Sequence, residues 1–416
     1  MQTGNITVSY FGVNQAYQLA LAAQELGALD AFYCSLYGAP KKWGGILGTL
    51  LGRDTLVNRR CIGFDPRVAI EIPGPLFFER LTARFVSANG TAAWFKTSRA
   101  FDRRVARRIK KSSSRIFVGV ETCAHDSFRV AGERGMIKVL DCPQVHPDFL
   151  TRLLVEAADD LGVPPPPPFD PPQIAACKVE EFAAADVMLV ISAIQRQSFI
   201  AAGFSNERLV EIPLWVDGEL WHPPTVQREM WGAGSLKALF VGSVGFRKGI
   251  PYLIQAVEKC DGAVDLTLVG VNSGEVDKYI SNSKSVIRLA GRKSKMALRE
   301  IYWNSDVLVL PSLIDTFGFV ALEAMACGLP VIVTENCGVP VPDPAWRVPI
   351  MNSDAIAQRL QHYATNREAL QRDGQIAQQF ARRFTPERYR EQIKNLYERL
   401  LTGNSTDSFS SKAVVS

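Results

Sequence analysis

The sequence lacks any run of about 18 uncharged apolar residues, the length that a membrane-spanning helix requires. Its first residues, Met1 to Asn5, do not show the basic and then apolar pattern of a secretory signal. The eight cysteines include no C-x-x-C pair and have no histidine at zinc-ligand spacing. We therefore expect a cytoplasmic protein with reduced, mostly buried thiols.

An excess of charge of one sign is also absent. The chain has 47 Lys and Arg against 42 Asp and Glu, and a net charge of +5 is too small to indicate nucleic acid as a partner. A hydrophobic content of 47% with 21% charged residues describes a globular protein. Its length of 416 residues predicts two domains of about 200 residues each.

One segment departs from this balance of charge. A predicted helix and the residues that follow it carry seven basic side chains, namely Arg103, Arg104, Arg107, Arg108, Lys110, Lys111 and Arg115. Such a surface attracts an anionic membrane or an anionic acceptor, and a solvated helix face is the alternative. The first interpretation predicts peripheral contact with the inner face of the membrane.

The first half of the chain alternates short apolar runs with helical patterns. Strands are predicted at Ile6 to Phe11, Arg115 to Val120, Ile137 to Leu140 and Val187 to Ile191. Pro164 to Pro168 predicts a stiff, extended surface loop. Strands interleaved with helices predict a parallel sheet with helices on both faces.

The same alternation resumes after Pro213 to Pro224, which is rich in turn-forming residues and is interpreted as an interdomain linker. Further strands are predicted at Ala238 to Val241, Leu266 to Val269, Val286 to Leu289, Val307 to Leu310 and Val331 to Val333. We therefore expect an α/β protein of two doubly wound domains, residues 1–216 and 217–385. The polar segment 402–416 is expected to be disordered.

The stretch from Val307 to Val333, VLVLPSLIDTFGFVALEAMACGLPVIV, carries the most informative pattern. An apolar strand leads through a loop with Asp315 into a helix with Glu323, so a helix N-terminus lies at the carboxyl end of a strand. Anionic ligands bind at such a position. Two carboxylates eight residues apart can accept from the vicinal hydroxyls of a ribose or a hexose. A helix cap at Asp315 and an ordinary helical acid at Glu323 are the alternative.

A second loop, in FVGSVGFRKGIPYLIQAV from Phe240 to Val257, ends with Arg247 and Lys248 before another helix. Two cations at a helix N-terminus neutralise a diphosphate.

These two segments resemble the donor-binding motifs of glycosyltransferase family 4, the glycosyl transferases group 1. Its members are retaining nucleotide-sugar transferases of the GT-B fold, in which two Rossmann-like domains face each other across a cleft. The first segment is similar to the E-x7-E motif of that family, with Asp315 in place of the first Glu. The resemblance implies that Asp315 contacts the donor sugar, that Glu323 holds the ribose hydroxyls, and that Lys248 and Arg247 bind the phosphates.

The resemblance also implies other donor-binding residues, which are Gly12, Ser243, Phe317, Gly318 and Phe319. Ser243 stands where many relatives have Arg, and the two phenylalanines are more typical of packing. The sequence near the end, RRFTPERYREQIKNLYERLL, is similar to the last helix of the family, about 386–401, which crosses back onto the first domain.

The acceptor should bind to the first half, where the pattern is weaker. His125 and His146 follow predicted strands, at the edge of the sheet where α/β proteins bind ligands, and Glu121 is a third candidate. The resemblance implies that a histidine of this domain contacts the donor sugar or the acceptor, with His146 preferred as a catalytic residue. Hydrogen-bonded loop residues are the alternative for both histidines.

Together these motifs predict a retaining hexosyltransferase-type enzyme that moves a sugar from a UDP- or GDP-sugar to a saccharide or lipid-linked acceptor, in polysaccharide or glycoconjugate biosynthesis. No cofactor and no metal are expected, because the two cations supply the positive charge and no D-x-D motif is present. An epimerase or phosphorylase on the same fold, and a non-catalytic subunit that binds a nucleotide sugar or a protein partner, remain as alternatives.

Overall fold

The computed structural model describes residues 4–12, 16–39, 41–50, 59–75, 90–225 and 234–403. Within these residues the chain forms two parallel β-sheets with helices packed on them, which confirms the predicted α/β class. Of the segment expected to be disordered, residues 404–416 lie outside the described residues.

The first sheet contains seven strands. They are β1 Ile6–Tyr10, β2 Leu29–Cys34, β3 Ala69–Glu71, β4 Ile116–Val120, β5 Ile137–Asp141, β6 Val187–Val190 and β7 Leu209–Glu211. Their order is β3-β2-β1-β4-β5-β6-β7, and all pairs are parallel. The strand order reverses between β1 and β4, and in open α/β sheets ligands bind beside such a point.

Seven α-helices belong to the described part of this domain. They are α1 Ala16–Glu25, α2 Trp43–Leu50, α3 Gly90–Ile109, α4 His125–Glu133, α5 Pro147–Asp160, α6 Pro172–Ala184 and α7 Ala193–Ala201. Proline in the first turn starts α5 and α6, since its fixed φ suits that position and its missing N–H is not needed there. The Ser192 side chain caps α7 by accepting from the backbone N–H of Gln195.

The second sheet has six strands, again all parallel. They are β8 Leu236–Val241, β9 Val264–Val269, β10 Ile287–Gly291, β11 Val307–Leu310, β12 Val331–Thr334 and β13 Arg347–Val348, in the order β10-β9-β8-β11-β12-β13. Its helices are α8 Ile250–Glu258, α9 Asp277–Asn282, α10 Lys295–Trp303, α11 Phe319–Ala326, α12 Ser353–Thr365 and α13 Arg367–Ala381. Strands β11 and β12 are buried along their whole length, because helices cover both faces.

The last helix, α14 Pro386–Thr402, packs on α1 of the first domain. The Tyr397 hydroxyl donates to the Leu19 carbonyl oxygen at 3.3 Å, and Arg390 forms an ion pair with Glu25 at 2.8 Å. The described part of the chain therefore begins with a strand of the first domain and ends with a helix packed on that domain.

The sequence pattern did not indicate β2, β3, β7 and β13, which lie at or next to the edges of the sheets. Three of them are only two or three residues long, so they carry too few side chains to show a period.

The carboxyl ends of the two sheets face each other. The Ser192 Oγ, just beyond β6, donates to the carbonyl oxygen of Thr316, beyond β11, at 2.6 Å. A second contact joins the domains where the Tyr252 hydroxyl donates to Asp160 Oδ2 at 2.7 Å. Residues at the ends of β6 and β11 consequently share one cleft.

None of the helices in the described part of the chain combines the length and the apolarity that crossing a bilayer requires.

Candidate functional site

The loop between β8 and α8 carries both predicted cations. Phe246–Lys248 form a single 3-10 turn, and Gly249 ends it with a left-handed φ of 69°. A Cβ on Gly249 would lie 1.9 Å from the carbonyl oxygen of Pro311, so only glycine allows the loop to approach the end of β11 this closely. This approach brings Lys248 to the loop that carries Asp315.

Any alanine in a left-handed conformation costs some stability. We expect Gly249→Ala to lower the free energy of unfolding by about 2 kcal/mol or more beyond that cost, because the backbone of Pro311 must move. Gly262→Ala is the matched control: its φ of 80° is similar, and no atom lies within 4 Å of the added Cβ. That control should cost only about 1–2 kcal/mol. Urea unfolding of the two variants measures the difference, and equal midpoints would contradict the close approach.

Lys248 and Asp315 are in contact although 67 residues separate them. The Lys248 ammonium donates to Asp315 Oδ2, and Asp315 Oδ1 accepts from the backbone N–H of Gly318 at 3.0 Å. The two side chains are only 14% and 18% exposed. The structure thus brings together three of the residues that the sequence assigned to donor binding.

A second loop fixes the backbone of Asp315. Its N–H donates to the carbonyl oxygen of Asn336 at 3.1 Å, and its carbonyl oxygen accepts from Gly338 N–H at 2.8 Å. The half-buried guanidinium of Arg347 supports this loop by donating to the carbonyl oxygens of Cys337 and Val339 at 2.7 and 2.6 Å. Sequence reasoning missed Arg347, because nothing near it in the chain shows which carbonyl groups it meets.

Arg247 lies beside this group. Its guanidinium donates to the Ile314 carbonyl oxygen at 3.0 Å and stands 5.4 Å from the ring centroid of Phe169, which belongs to the first domain. Ser243 is exposed and lines a neighbouring cavity of about 330 Å³ together with Arg247 and Lys248.

A cavity of about 220 Å³ lies between the domains at Asp315. From the second domain it is lined by Arg247, Lys248 and the segment Ile314–Phe319; from the first domain by Pro143, Gln144, Val145, Leu150, Phe169 and Ile191. Phe317 is itself 98% hidden and packs edge-to-face on Phe319 at 5.2 Å, whereas Phe319 is about half exposed. Phe317 therefore has a packing contact, as its residue type indicated.

Glu323 lies on α11, which begins after Gly318 in a left-handed conformation. The Tyr302 hydroxyl donates to Glu323 Oε2 at 3.1 Å. Burial raises the pKa of Glu323 to about 7, while the hydrogen bond from Tyr302 and the charge of Lys295 act in the opposite direction. The carboxyl group therefore titrates close to neutral pH.

The structure places His146 at the start of α5, directly after Gln144 and Val145 of the interdomain cavity, and its catalytic role stays a prediction. It is the N-cap of α5, and its Nδ1 accepts from the backbone N–H of Asp148 at 3.3 Å. The ring is buried against Phe182, Phe199 and Phe204 with centroids 5.8–6.0 Å away. Burial lowers the pKa of His146, which favours the neutral ring that can accept at Nδ1. The sequence His-Pro-Asp, with proline at the first helical position, is the signal that could have shown this role.

Glu121 and His125 are also engaged within the first domain. Glu121 is buried, and its Oε1 lies 2.7 Å from the Lys178 ammonium. His125 starts α4 and pairs with Glu180 through Nε2 at 2.5 Å. Among the described residues neither side chain lines the interdomain cavities. Their roles as acceptor contacts stay predictions.

Gly12 lies two residues beyond β1, and a Cβ there would come within 2.7 Å of the Tyr10 ring. Its predicted contact with a diphosphate stays a prediction.

Part of the second domain is similar in sequence to known proteins. Residues 235–366 match the family model described as Glycosyl transferases group 1. The D-inositol 3-phosphate glycosyltransferase of Xylanimonas cellulosilytica is 28% identical over 238 residues, which cover 52% of this chain and 56% of the relative. The chain spans between 27% and 56% of the length of the first three relatives that it matches.

Solved structures resemble the whole chain. Sucrose-phosphate synthase from Thermosynechococcus elongatus superposes with a TM-score of 0.65 at 17% identity, covering 96% of this chain and all of that one. Anabaena HepE in complex with UDP-glucose superposes with a TM-score of 0.59 at 15% identity, covering 94% and 99%. At these identities the likeness shows the fold, and it confirms the predicted GT-B arrangement of two Rossmann-like domains. Residues 235–366 of this GT-B chain thus carry the sequence pattern of the glycosyl transferases group 1.

Proposed function

We propose that the protein is a retaining hexosyltransferase of glycosyltransferase family 4. It moves a sugar from a nucleoside-diphosphate sugar to a saccharide or lipid-linked acceptor in polysaccharide or glycoconjugate biosynthesis. The observation that carries this proposal is the contact of Lys248, Asp315 and Gly318 at the edge where the two sheets face each other. The second domain, 217–385, binds the donor, and the first domain, 1–216, binds the acceptor.

The positive groups of the site suit a departing diphosphate. Lys248 and Arg247 lie beside the N-terminus of α11, where free backbone N–H groups and the helix dipole add to the positive potential. Positive groups fixed in place stabilise the charge that builds up on the leaving phosphate oxygen as the bond to the sugar breaks. We also propose that these groups replace a divalent ion, so that treatment with EDTA leaves the rate unchanged.

The acidic groups suit the two sugars of the donor. Glu323, on α11, accepts from the vicinal hydroxyls of the ribose, and Asp315 accepts from the transferred sugar. UDP is the first nucleotide to test, because the HepE structure that this chain resembles holds UDP-glucose.

The carboxylate that lines the cavity supports a transfer in which the anomeric carbon of the sugar retains its configuration. Asp315 is the one carboxylate among the described residues that line the cavity, and Lys248 and Gly318 N–H already occupy its oxygens. A carboxylate engaged in this way is a poor nucleophile, which favours attack by the acceptor on the face that the diphosphate leaves. The anomeric coupling constant of the product, measured by proton NMR, tests retention.

A thermal-shift screen tests the proposal. UDP, GDP, ADP and their common sugar conjugates are added to the wild type, to Lys248→Ala and to Glu323→Ala. One nucleotide should raise the midpoint of the wild type by several degrees and leave both variants unchanged, since a ligand of the folded state stabilises it by mass action. No shift with any nucleotide would contradict donor binding and favour a partner-binding role.

The basic surface around α3 supports an acceptor at a membrane. All seven basic side chains from Arg103 to Arg115 are exposed, and none of them pairs with an acid among the described residues. Each basic residue near an anionic surface contributes about 1 kcal/mol at low salt. We therefore propose peripheral binding to anionic lipid.

Replacing both Arg107 and Arg108 with glutamine should weaken the affinity for phosphatidylserine vesicles, measured by sedimentation, about 30-fold at low salt. The matched control replaces Arg382 and Arg388, two exposed arginines near α14, and should keep wild-type binding. Failure of the wild type to sediment with these vesicles would contradict the membrane contact.

A further inference from the structure

The proline-rich loop between α5 and α6 reaches across the cleft to the loop that carries the two cations. Residues Pro166–Phe169 and Phe246–Lys248 line the same cavity of about 330 Å³. Each proline fixes its own φ, so the loop is stiff and presents Phe169 at a defined place. Phe169 also lines the cavity at Asp315, which puts it between the two spaces.

Arg247 has a contact on each side of its guanidinium. From its own domain it donates to the carbonyl oxygen of Ile314, the residue before Asp315. From the opposite domain the Phe169 ring lies 5.4 Å from the guanidinium carbon, and this ring is still 43% exposed. A cation over an aromatic face is attracted by the negative face of the ring. The first domain therefore helps to orient a cation of the second domain.

A buried ion triad anchors the end of this loop. Asp170, the residue after Phe169, lies 2.7 Å from the Lys178 ammonium, and Glu121 lies 2.7 Å from the same atom. The Lys178 side chain is only 4% exposed. Buried ion pairs contribute little net stability but require one geometry. Glu121 follows β4, so the triad ties Phe169 to the carboxyl edge of the first sheet.

We propose that Phe169 is a positioning residue for the donor diphosphate, which it affects by holding Arg247 from the opposite domain, and that Lys178 and Asp170 position Phe169. This inference rests on the proposed function. The phosphate site is then complete only when the two domains are together. A diphosphate that contacts Arg247 favours the closed arrangement, because it interacts better with that state than with an open one.

A double-mutant cycle between Phe169 and Arg247 tests the proposal. Isothermal titration calorimetry measures the affinities for UDP, GDP, ADP and inorganic pyrophosphate. Competition experiments measure the affinity for the matching nucleoside. Phe169→Ala should weaken diphosphate binding about three- to tenfold and nucleoside binding less than twofold, because only the phosphates use Arg247. In the Arg247→Ala background, Phe169→Ala should change diphosphate affinity less than 1.5-fold, because their effects share one contact.

Two further variants separate positioning from general damage to the fold. Phe169→Tyr keeps the aromatic face and should restore wild-type affinity, whereas Ile200→Ala removes an exposed apolar side chain elsewhere in the first domain and should have no effect. Asp170→Ala should weaken diphosphate binding, as Phe169→Ala does. This variant keeps the Lys178–Glu121 ion pair, which has no net charge, and should therefore fold.

The outcomes distinguish this inference from the function on which it rests. Suppose that the wild type binds a diphosphate and that the double variant loses affinity by the product of the losses in Phe169→Ala and Arg247→Ala. Positioning by Phe169 is then overturned, while the proposed function stands. An equal loss of nucleoside and diphosphate affinity in Phe169→Ala also overturns it. If the wild type binds no diphosphate, both proposals are contradicted.

Discussion

Lys248→Ala should lower the rate at which the protein releases nucleoside diphosphate from its sugar donor by about 100- to 1000-fold. The ammonium lies at the N-terminus of α11 and contacts Asp315, so it faces the place where the leaving phosphate gains charge. Its removal takes away a fixed positive group and leaves the Asp315 carboxylate next to the phosphates without compensation. The measurement is coupled detection of nucleoside diphosphate with and without acceptor.

Two controls separate these causes. Lys278→Ala removes an exposed lysine of the same domain and should keep the wild-type rate. The double variant Lys248→Ala with Asp315→Asn removes the uncompensated charge as well, and we expect no recovery, because the phosphate still lacks its cation. Full recovery in the double variant, or a loss below tenfold in Lys248→Ala, would contradict a direct role for the ammonium.

Glu323→Ala should weaken binding of the preferred nucleoside diphosphate about 100-fold at pH 8, because two hydrogen bonds to a charged carboxylate are lost. In the wild type the affinity should rise about tenfold between pH 6 and pH 8. Burial raises the pKa of Glu323 to about 7, and only the ionised form accepts from both ribose hydroxyls. Glu323→Gln should remove this dependence on pH, and calorimetry at several pH values measures it.

The same pKa shift predicts that the ligand-free protein loses stability as the pH rises, whereas its affinity for the ligand increases. The pKa of Glu323 is higher in the folded state than in the unfolded chain, so its contribution to stability is present at low pH and is lost as the pH rises toward 7. Glu323→Gln resembles the protonated form and should gain stability relative to the wild type as the pH rises from about 4.5 to about 7. Tyr302→Phe removes a hydrogen bond that lowers the pKa of Glu323, so the midpoint for binding should move to higher pH. Unchanged profiles in both variants would exclude Glu323 as the titrating group.

The central strands could be predicted because each is a short apolar run with helices on both sides. Burial on both faces leaves this pattern in a single segment, as in Val307–Leu310. The edge strands could not be predicted, since two or three residues such as Arg347–Val348 show no period.

The proximity of Lys248, Asp315 and Gly318 could be predicted from their place at the ends of strands and the starts of helices. Other contacts could not be predicted, because the partners are distant in the chain: Arg247 meets Phe169, and Lys178 meets Glu121. The contacts of His146 could not be predicted for a related reason. A position after a strand does not show which way a side chain points, and His146 points into a group of phenylalanines.

The most direct test of a donor site at Lys248 and Glu323 is the affinity for the preferred nucleoside diphosphate and for its 2′,3′-dideoxy analogue, measured on the wild type and on Glu323→Ala. Removal of the ribose hydroxyls should weaken binding to the wild type at least tenfold at pH 8 and binding to Glu323→Ala less than twofold, because both changes remove the same contact. Pyrophosphate should bind the two proteins equally. An equal loss with the dideoxy analogue in both proteins would contradict a ribose site at Glu323 and, with it, the proposed orientation of the donor.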